Sequence, residues 1–188
     1  YNMTLLFILI PIAIVVLIII SIRNGLIAKK NKVEYANGAV DAMFKQRYDL
    51  IPNLVASVKQ YMQHESGVLE RLVQLRSQAQ QPNLSDQQRN SLNKELDQAF
   101  KSFNISVENY PNLKASEQFT KLQSSLNECE GQLAAARRTY NAAVMEYNNA
   151  IEMFPSNIFA SQMGYVRKEM IEAAEQERIN PNVGNLFQ

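Results

Sequence analysis

The sequence predicts an all-α protein: an N-terminal transmembrane helix followed by an antiparallel long-helix bundle of four-helix or spectrin-like form. Three observations predict it. Leu5 to Ile22 is apolar throughout except for Ser21. Apolar residues recur at helical spacing over most of the remaining chain. Gly and Pro number only six each in 188 residues, while good helix formers fill the body.

The apolar run comes first. Eighteen residues at about 1.5 Å each reach roughly 27 Å, close to the hydrocarbon thickness of a bilayer. A cleavable signal peptide would need a positive leading region and a small-residue cleavage site. Here Tyr1 to Thr4 carry no side-chain charge, and Arg23-Asn-Gly-Leu-Ile27 follows the run. The cations come after the span, at Arg23, Lys29, Lys30 and Lys32. By the positive-inside rule the N-terminus is expected outside the membrane and the body in the cytoplasm. The expected organisation is a short extracytoplasmic N-terminus (1–4), the transmembrane helix (5–22), a basic juxtamembrane linker (23–32), a cytoplasmic helical bundle (33–178) and an extended tail (179–188). Gly25 and Gly38 each weaken helical continuity by about 1 kcal/mol relative to Ala, which permits a bend without requiring one.

The bundle opens with a helical pattern over Val33 to Gln80. Val33, Asn37, Val40, Phe44, Ile51, Leu54, Val58, Tyr61, Val68, Leu72, Leu75 and Ala79 share one seam, with Arg47 and Glu65 as its notable charged members. Pro52, followed by Asn53, falls inside this pattern, where a proline clashes with the preceding turn and removes one N–H. Pro52 is therefore expected to bend or reseat the helix. A loop at Gln80 to Ser85 ends the segment, and Ser85 with Gln88 forms a capping-box pattern for the next. The second helix, about Asp86 to Glu108, carries Leu92, Leu96, Ala99, Phe100, Phe103, Val107 and Tyr110 on one side. Pro111 closes it. In the third, Phe119, Leu126, Leu133, Tyr140, Tyr147 and Phe154 recur every seven residues. A row of smaller residues, Leu122, Cys129, Ala136, Ala143 and Ala150, runs beside them, the pattern of a heptad seam. Phe154-Pro155 stops this helix. Ile158 to Arg178 reads as one or two short helices.

Chemistry is sparse. His64-Glu65 begins a zincin motif, but position 68 is Val and the chain holds a single His, so two His ligands on one helical face are missing. Position 61 is Tyr, which removes a Glu-x-x-His di-iron pair. No phosphate loop, nucleophile elbow or Cys-x-x-Cys is present, and the sequence implies no cofactor. A net charge of +1 with no basic run in the C-terminal part gives no nucleic-acid footprint. Cys129, the one cysteine, reads as a packing residue and fits a reducing compartment. A polar set remains on the apolar faces: Arg47, Asp49, Glu65, Glu130, Arg137, Asn141 and Asn148. Glu130 and Arg137 are seven apart, as are Asn141 and Asn148. An unpaired buried carboxylate is costly, so Glu65 is expected to meet Arg137 or Arg47 and fix helix register. The other reading makes the set a binding or catalytic cluster, with Arg47, Asp49, His64 and Glu65 serving a hydrolase or a ligand site.

The same residues carry a resemblance. Arg47-Tyr-Asp-Leu-Ile-Pro-Asn-Leu-Val55, Tyr61 with His64-Glu65, and Glu108-Asn-Tyr-Pro-Asn-Leu-Lys-Ala115 with Phe119 and Leu122-Gln123 are similar to the LemA family. So are Glu130, Ala136-Arg137, Tyr140-Asn141, Tyr147-Asn148 and Phe154-Pro155. The resemblance implies a bacterial membrane protein with one N-terminal span, a long helical body and no established enzyme activity. With the missing active-site chemistry, it leads to a non-enzymatic scaffold whose partners are the lipid bilayer, copies of itself and a membrane protein. Such a partner could be a protease, since family members are often encoded beside membrane metallopeptidases. An adaptor for membrane proteolysis or envelope stress is the alternative.

Overall fold

The computed structural model describes residues 2–171, and the expected tail at 179–188 lies outside them. Among the described residues six helices follow one another: α1 (Asn2–Val58), α2 (Ser66–Ala79), α3 (Asp86–Val107), α4 (Pro111–Lys114), α5 (Glu117–Glu152) and α6 (Ser156–Gln162). Among the described residues there is no strand, so the all-α expectation holds. The chain divides into two compact units. One joins the residues up to Ala39 to Arg138–Ile171; the other contains Val40–Arg137.

α1 departs from the expected Val33–Gln80 helix in where it stops. Residues 23–32 are helical, and the apolar run passes into the packed part of α1 without interruption. Pro52, expected to bend or reseat the helix, lies within it. It and Asn53 face solvent, while Ile51 and Leu54 on either side are completely buried. An interior proline costs about 3 kcal/mol, and burying two aliphatic side chains at about 1.5–3 kcal/mol each offsets that. The break comes instead at 59–65, where no Pro or Gly marks it. Tyr61 and Met62 both donate backbone bonds to the Val58 carbonyl, at 2.9 Å each. Met62, 0 % exposed, pins that turn in the core. Tertiary burial, not local propensity, ends α1.

In the unit formed by 40–137, Phe44, Ile51, Leu54 and Val58 of α1, Leu72 and Leu75 of α2, Leu96 and Phe103 of α3, Leu113 of α4, and Phe119 and Leu133 of α5 are all buried. The expected capping box is formed. Ser85 Oγ accepts the Gln88 N–H at 3.2 Å, and Gln88 Oε1 accepts the Ser85 N–H at 2.9 Å. The short α4 begins with Pro111 at its first position, where its missing N–H costs nothing. Phe103 and Phe119 meet in a tilted pair with centroids 6.4 Å apart.

In the other unit, Val33 and Ala36 of α1 pack on Ala143, Val144 and Tyr147 of α5, with Tyr140, Ile151 and Tyr165 against them. Lys32 bonds Glu146 at 2.9 and 3.0 Å. This contact is chiefly what holds the Glu146 carboxyl below its usual range; the positive charges of Lys32 and Lys29 add to it. α5 stops at Glu152, so Phe154, the expected last member of the seam, is exposed. Ser156 Oγ donates to the freed Ala150 carbonyl at 2.6 Å. α6 ends in a Schellman turn: Tyr165 N–H bonds Ala160 O at 3.0 Å and Gly164 N–H bonds Ser161 O at 3.1 Å. Gly164 sits at φ +66°, a left-handed position that favours glycine. Beyond it the chain is non-helical to Ile171; α6 is one of the one or two short helices expected over 158–178, and 172–178 lie outside the described residues.

Candidate functional site

Each unit holds one polar assembly. That of residues 40–137 is built where α1, α3 and α5 meet. The Arg47 side chain is 3 % exposed, yet it is charged, so burial requires compensation. Asp97 of α3 supplies it by bonding Arg47 Nη1, and Glu130 Oε2 of α5 lies 3.6 Å from Nη2. The other oxygen of Asp97 faces Arg137 Nη2 at 3.8 Å. One carboxylate therefore lies between two guanidiniums. Aromatic faces complete the enclosure: Arg47 lies 4.8 Å from the Phe100 centroid and Arg137 5.3 Å from that of Phe44, where ring quadrupoles favour cations. One residue along α1, the Tyr48 hydroxyl donates to Asn93 Oδ1 at 2.7 Å. Asn93 and Asp97 are four apart, hence on one face of α3, and they meet consecutive residues of α1. Burial pushes the Tyr48 phenol up to about 12, with the positive charge of Arg47 working in the opposite direction.

The expected Glu65 pairing is not made. Glu65 lies in the break, at the N-cap of α2 and half-buried, so the continuous seam that would have aimed it at an arginine does not exist. Arg47 and Arg137 take Asp97 instead. His64 is exposed, and Asp49 is exposed and bonded to Lys45 at 2.6 Å. Arg47, Asp49, His64 and Glu65 thus form no common pocket. Among the described residues no group of three or more His, Cys, Asp or Glu is placed to hold a metal ion. Cys129 is fully buried, near the Met43 carbonyl at 3.7 Å, and burial raises its thiol pKa. Asp97 and Asn93 escaped the sequence reading. Their signal is a pair of polar residues at i and i+4 wedged among Leu92, Leu96 and Phe100.

The assembly of the other unit is a ladder. Asn148 Nδ2 donates to Lys168 O at 2.9 Å, and Lys168 N–H donates back to Asn148 Oδ1 at 3.0 Å. Asn141 repeats the pair on Ile171, at 2.8 and 2.9 Å. Tyr147 donates its hydroxyl to Val166 O at 3.2 Å, and Tyr140 to Glu169 O at 3.3 Å. Two Tyr-Asn dyads on α5 therefore grip the backbone of segment 166–171 in antiparallel sense. The spacing accounts for the fit. Seven helical residues rise about 10.5 Å, and three extended residues span about 10 Å. Lys30 lies over the Tyr165 ring at 5.6 Å, and Tyr165 packs on Tyr147 at 5.9 Å. Arg167 pairs with Glu152 on the exposed side.

The arrangement is that of an all-α protein whose apolar N-terminal helix continues into a helical body, with polar residues holding helices and backbone rather than lining a pocket. The chain belongs to the LemA family, whose sequence model matches residues 36–184. Protein LemA of Metamycoplasma hominis is 24 % identical over 182 residues, covering 97 % of this chain and 83 % of that protein. The magnetosome proteins MamQ 1 and MamQ 2 of Paramagnetospirillum magneticum are each 35 % identical over 66 residues, 35 % of this chain and 24 % of their own length. Neither the family description nor these names assign a reaction.

Proposed function

We propose that the protein is a non-catalytic scaffold anchored in the bacterial cytoplasmic membrane by α1, with its helical body in the cytoplasm and associating with copies of itself or with a membrane-protein partner. One observation carries the reading. The apolar run of α1 is long enough to cross a bilayer and only 6 % buried, yet it continues without a break into the helix that packs the body. In water such a surface would be a large exposed apolar patch, which marks a membrane or protein contact. The basic residues Arg23, Lys29, Lys30 and Lys32 at its end support the orientation. The polar groups described above are spent on internal bonds, which favours a structural role.

Native purification in mild detergent tests this. The expected result is a membrane-fraction protein that resists alkaline extraction and runs as an assembly larger than one 21.4 kDa chain. A strict monomer that retains no partner would refute the scaffold. Release by alkaline carbonate would refute the anchor.

A further inference from the structure

The turn after α5 and the first residues of α6 expose three large apolar side chains: Met153 at 64 %, Phe154 at 81 % and Ile158 at 50 %. Nothing in the core requires them there. Their height along α1 gives them a meaning. Glu146 is held by Lys32 and Lys29, which fixes the level of α5 beside α1. From Glu146 to the end of α5 at Glu152 is six residues. From Lys32 back to Leu26, the first described side chain of α1 to be buried, is also six. Burial on α1 thus starts where an antiparallel α5 runs out, about 9 Å from the ion pair. A parallel α5 would lay its earlier residues along the apolar run, but Leu17, Ile18 and Ile20 are about half exposed or more. Phe154, two residues past Glu152, therefore stands level with Ile22 to Gly25, the point where the apolar run ends.

The geometry points to Met153, Phe154 and Ile158 as a second membrane contact, dipping into the same lipid surface from which α1 emerges. The inference rests on the anchor reading above. It gives the exposed apolar tip an apolar environment, and it sets Arg23, Lys29 and Lys30 at the height of anionic headgroups, where each cation adds attraction. A side chain at this level enters the headgroup and acyl boundary to a depth of about 5–10 Å. The unit of α1 and α5 is then tethered at two points, which restricts its tilt on the membrane.

The chain contains no tryptophan, so single reporters can be placed in the full-length protein. Phe154→Trp, Ile14→Trp and Tyr35→Trp are reconstituted in phosphatidylcholine–phosphatidylglycerol vesicles whose acyl chains carry bromine near the headgroup or near the bilayer centre. All three positions are exposed, so each variant folds. Phe154→Trp is expected to emit at shorter wavelength than Tyr35→Trp and to lose roughly half its intensity to headgroup-proximal bromine, the depth of an interfacial side chain. Ile14→Trp is quenched by central bromine, and Tyr35→Trp by neither. If Ile14→Trp is quenched but Phe154→Trp is not, the second contact is refuted and the anchor stands. If Ile14→Trp is also unquenched, the anchor reading fails and this inference with it. Blue-shifted, unquenched emission from Phe154→Trp would assign the tip to a protein surface and overturn the lipid contact.

Discussion

Replacing Asn148 by Ala tests whether the Tyr-Asn ladder holds segment 166–171. The substitution removes the donor to Lys168 O and the acceptor of Lys168 N–H, bonds of 2.9 and 3.0 Å. Asn148 is 3 % exposed, so water does not readily replace it. Two bonds at about 1 kcal/mol each give about 2 kcal/mol of local stabilisation, and an unsatisfied half-buried amide adds to the loss. At about 1.4 kcal/mol per tenfold, the opening equilibrium of the segment shifts by roughly 25-fold. Amide hydrogen exchange reads this directly: the Lys168 amide should exchange roughly 25-fold faster, while amides of α5 itself hold their rates. Asn141→Ala should act in the same way on Ile171, its own partner, and leave Lys168 largely protected. Unchanged protection of Lys168 in Asn148→Ala would refute the ladder. So would equal acceleration of both amides in both variants, because the pairing assigns one residue to each dyad.

Three further outcomes are expected. Asp97→Ala leaves the buried guanidiniums of Arg47 and Arg137 without the carboxylate between them, and should cost about 3 kcal/mol in denaturant unfolding; a loss below about 1 kcal/mol would show that Asp97 does not neutralise them. The Tyr48 phenol, pushed up to about 12 by burial, stays protonated while unfolded tyrosines ionise near 10, so its contribution to stability is full below pH 10 and disappears as pH rises towards 12. Burial also raises the Tyr147 phenol, so absorbance titration should show late phenolate ionisation that Tyr48→Phe reduces by one phenol, and an undisturbed titration curve in that variant would contradict the burial. Pro52→Ala restores an N–H to an exposed position inside α1 and should raise the melting temperature, the gain bounded by about 3 kcal/mol; a lower melting temperature would mean that the proline ring makes a contact the helix needs.

Much of the fold was legible because it is written locally. The capping box of Ser85 and Gln88 needs only its own residues, and the seam of Phe119, Leu133 and Tyr147 follows from helical period. Phe154 continued the period on paper but faces solvent, because α5 stops at Glu152 and periodicity says nothing about where a helix ends. The break at 59–65 was illegible for a related reason: it is held by the burial of Met62, a tertiary fact with no breaker residue to announce it. The arginines at 47 and 137 could be recognised as needing partners. Their partner, Asp97, could not be identified, since a single Asp at the edge of an apolar stripe looks like ordinary flank. The spacing of Asn141 and Asn148 was visible, but their partners are backbone groups, and a gripped backbone leaves no side-chain signature in the sequence.

That last difference separates the two polar assemblies physically. Around Asp97 every bond joins side chain to side chain, so each partner is specified and a one-residue slip of α1 against α3 would separate both the Arg47–Asp97 and the Tyr48–Asn93 pairs. Such a cluster selects a single register, which is the best-attested use of buried charge. On α5 the specification is one-sided. Tyr140, Asn141, Tyr147 and Asn148 must be what they are, but any residue with an N–H and a C=O satisfies them at 168 and 171. Val166 and Met170 can accordingly remain exposed at 73 % and 47 % without weakening the grip. The ladder fixes the path of the segment and leaves its outward side chains unconstrained.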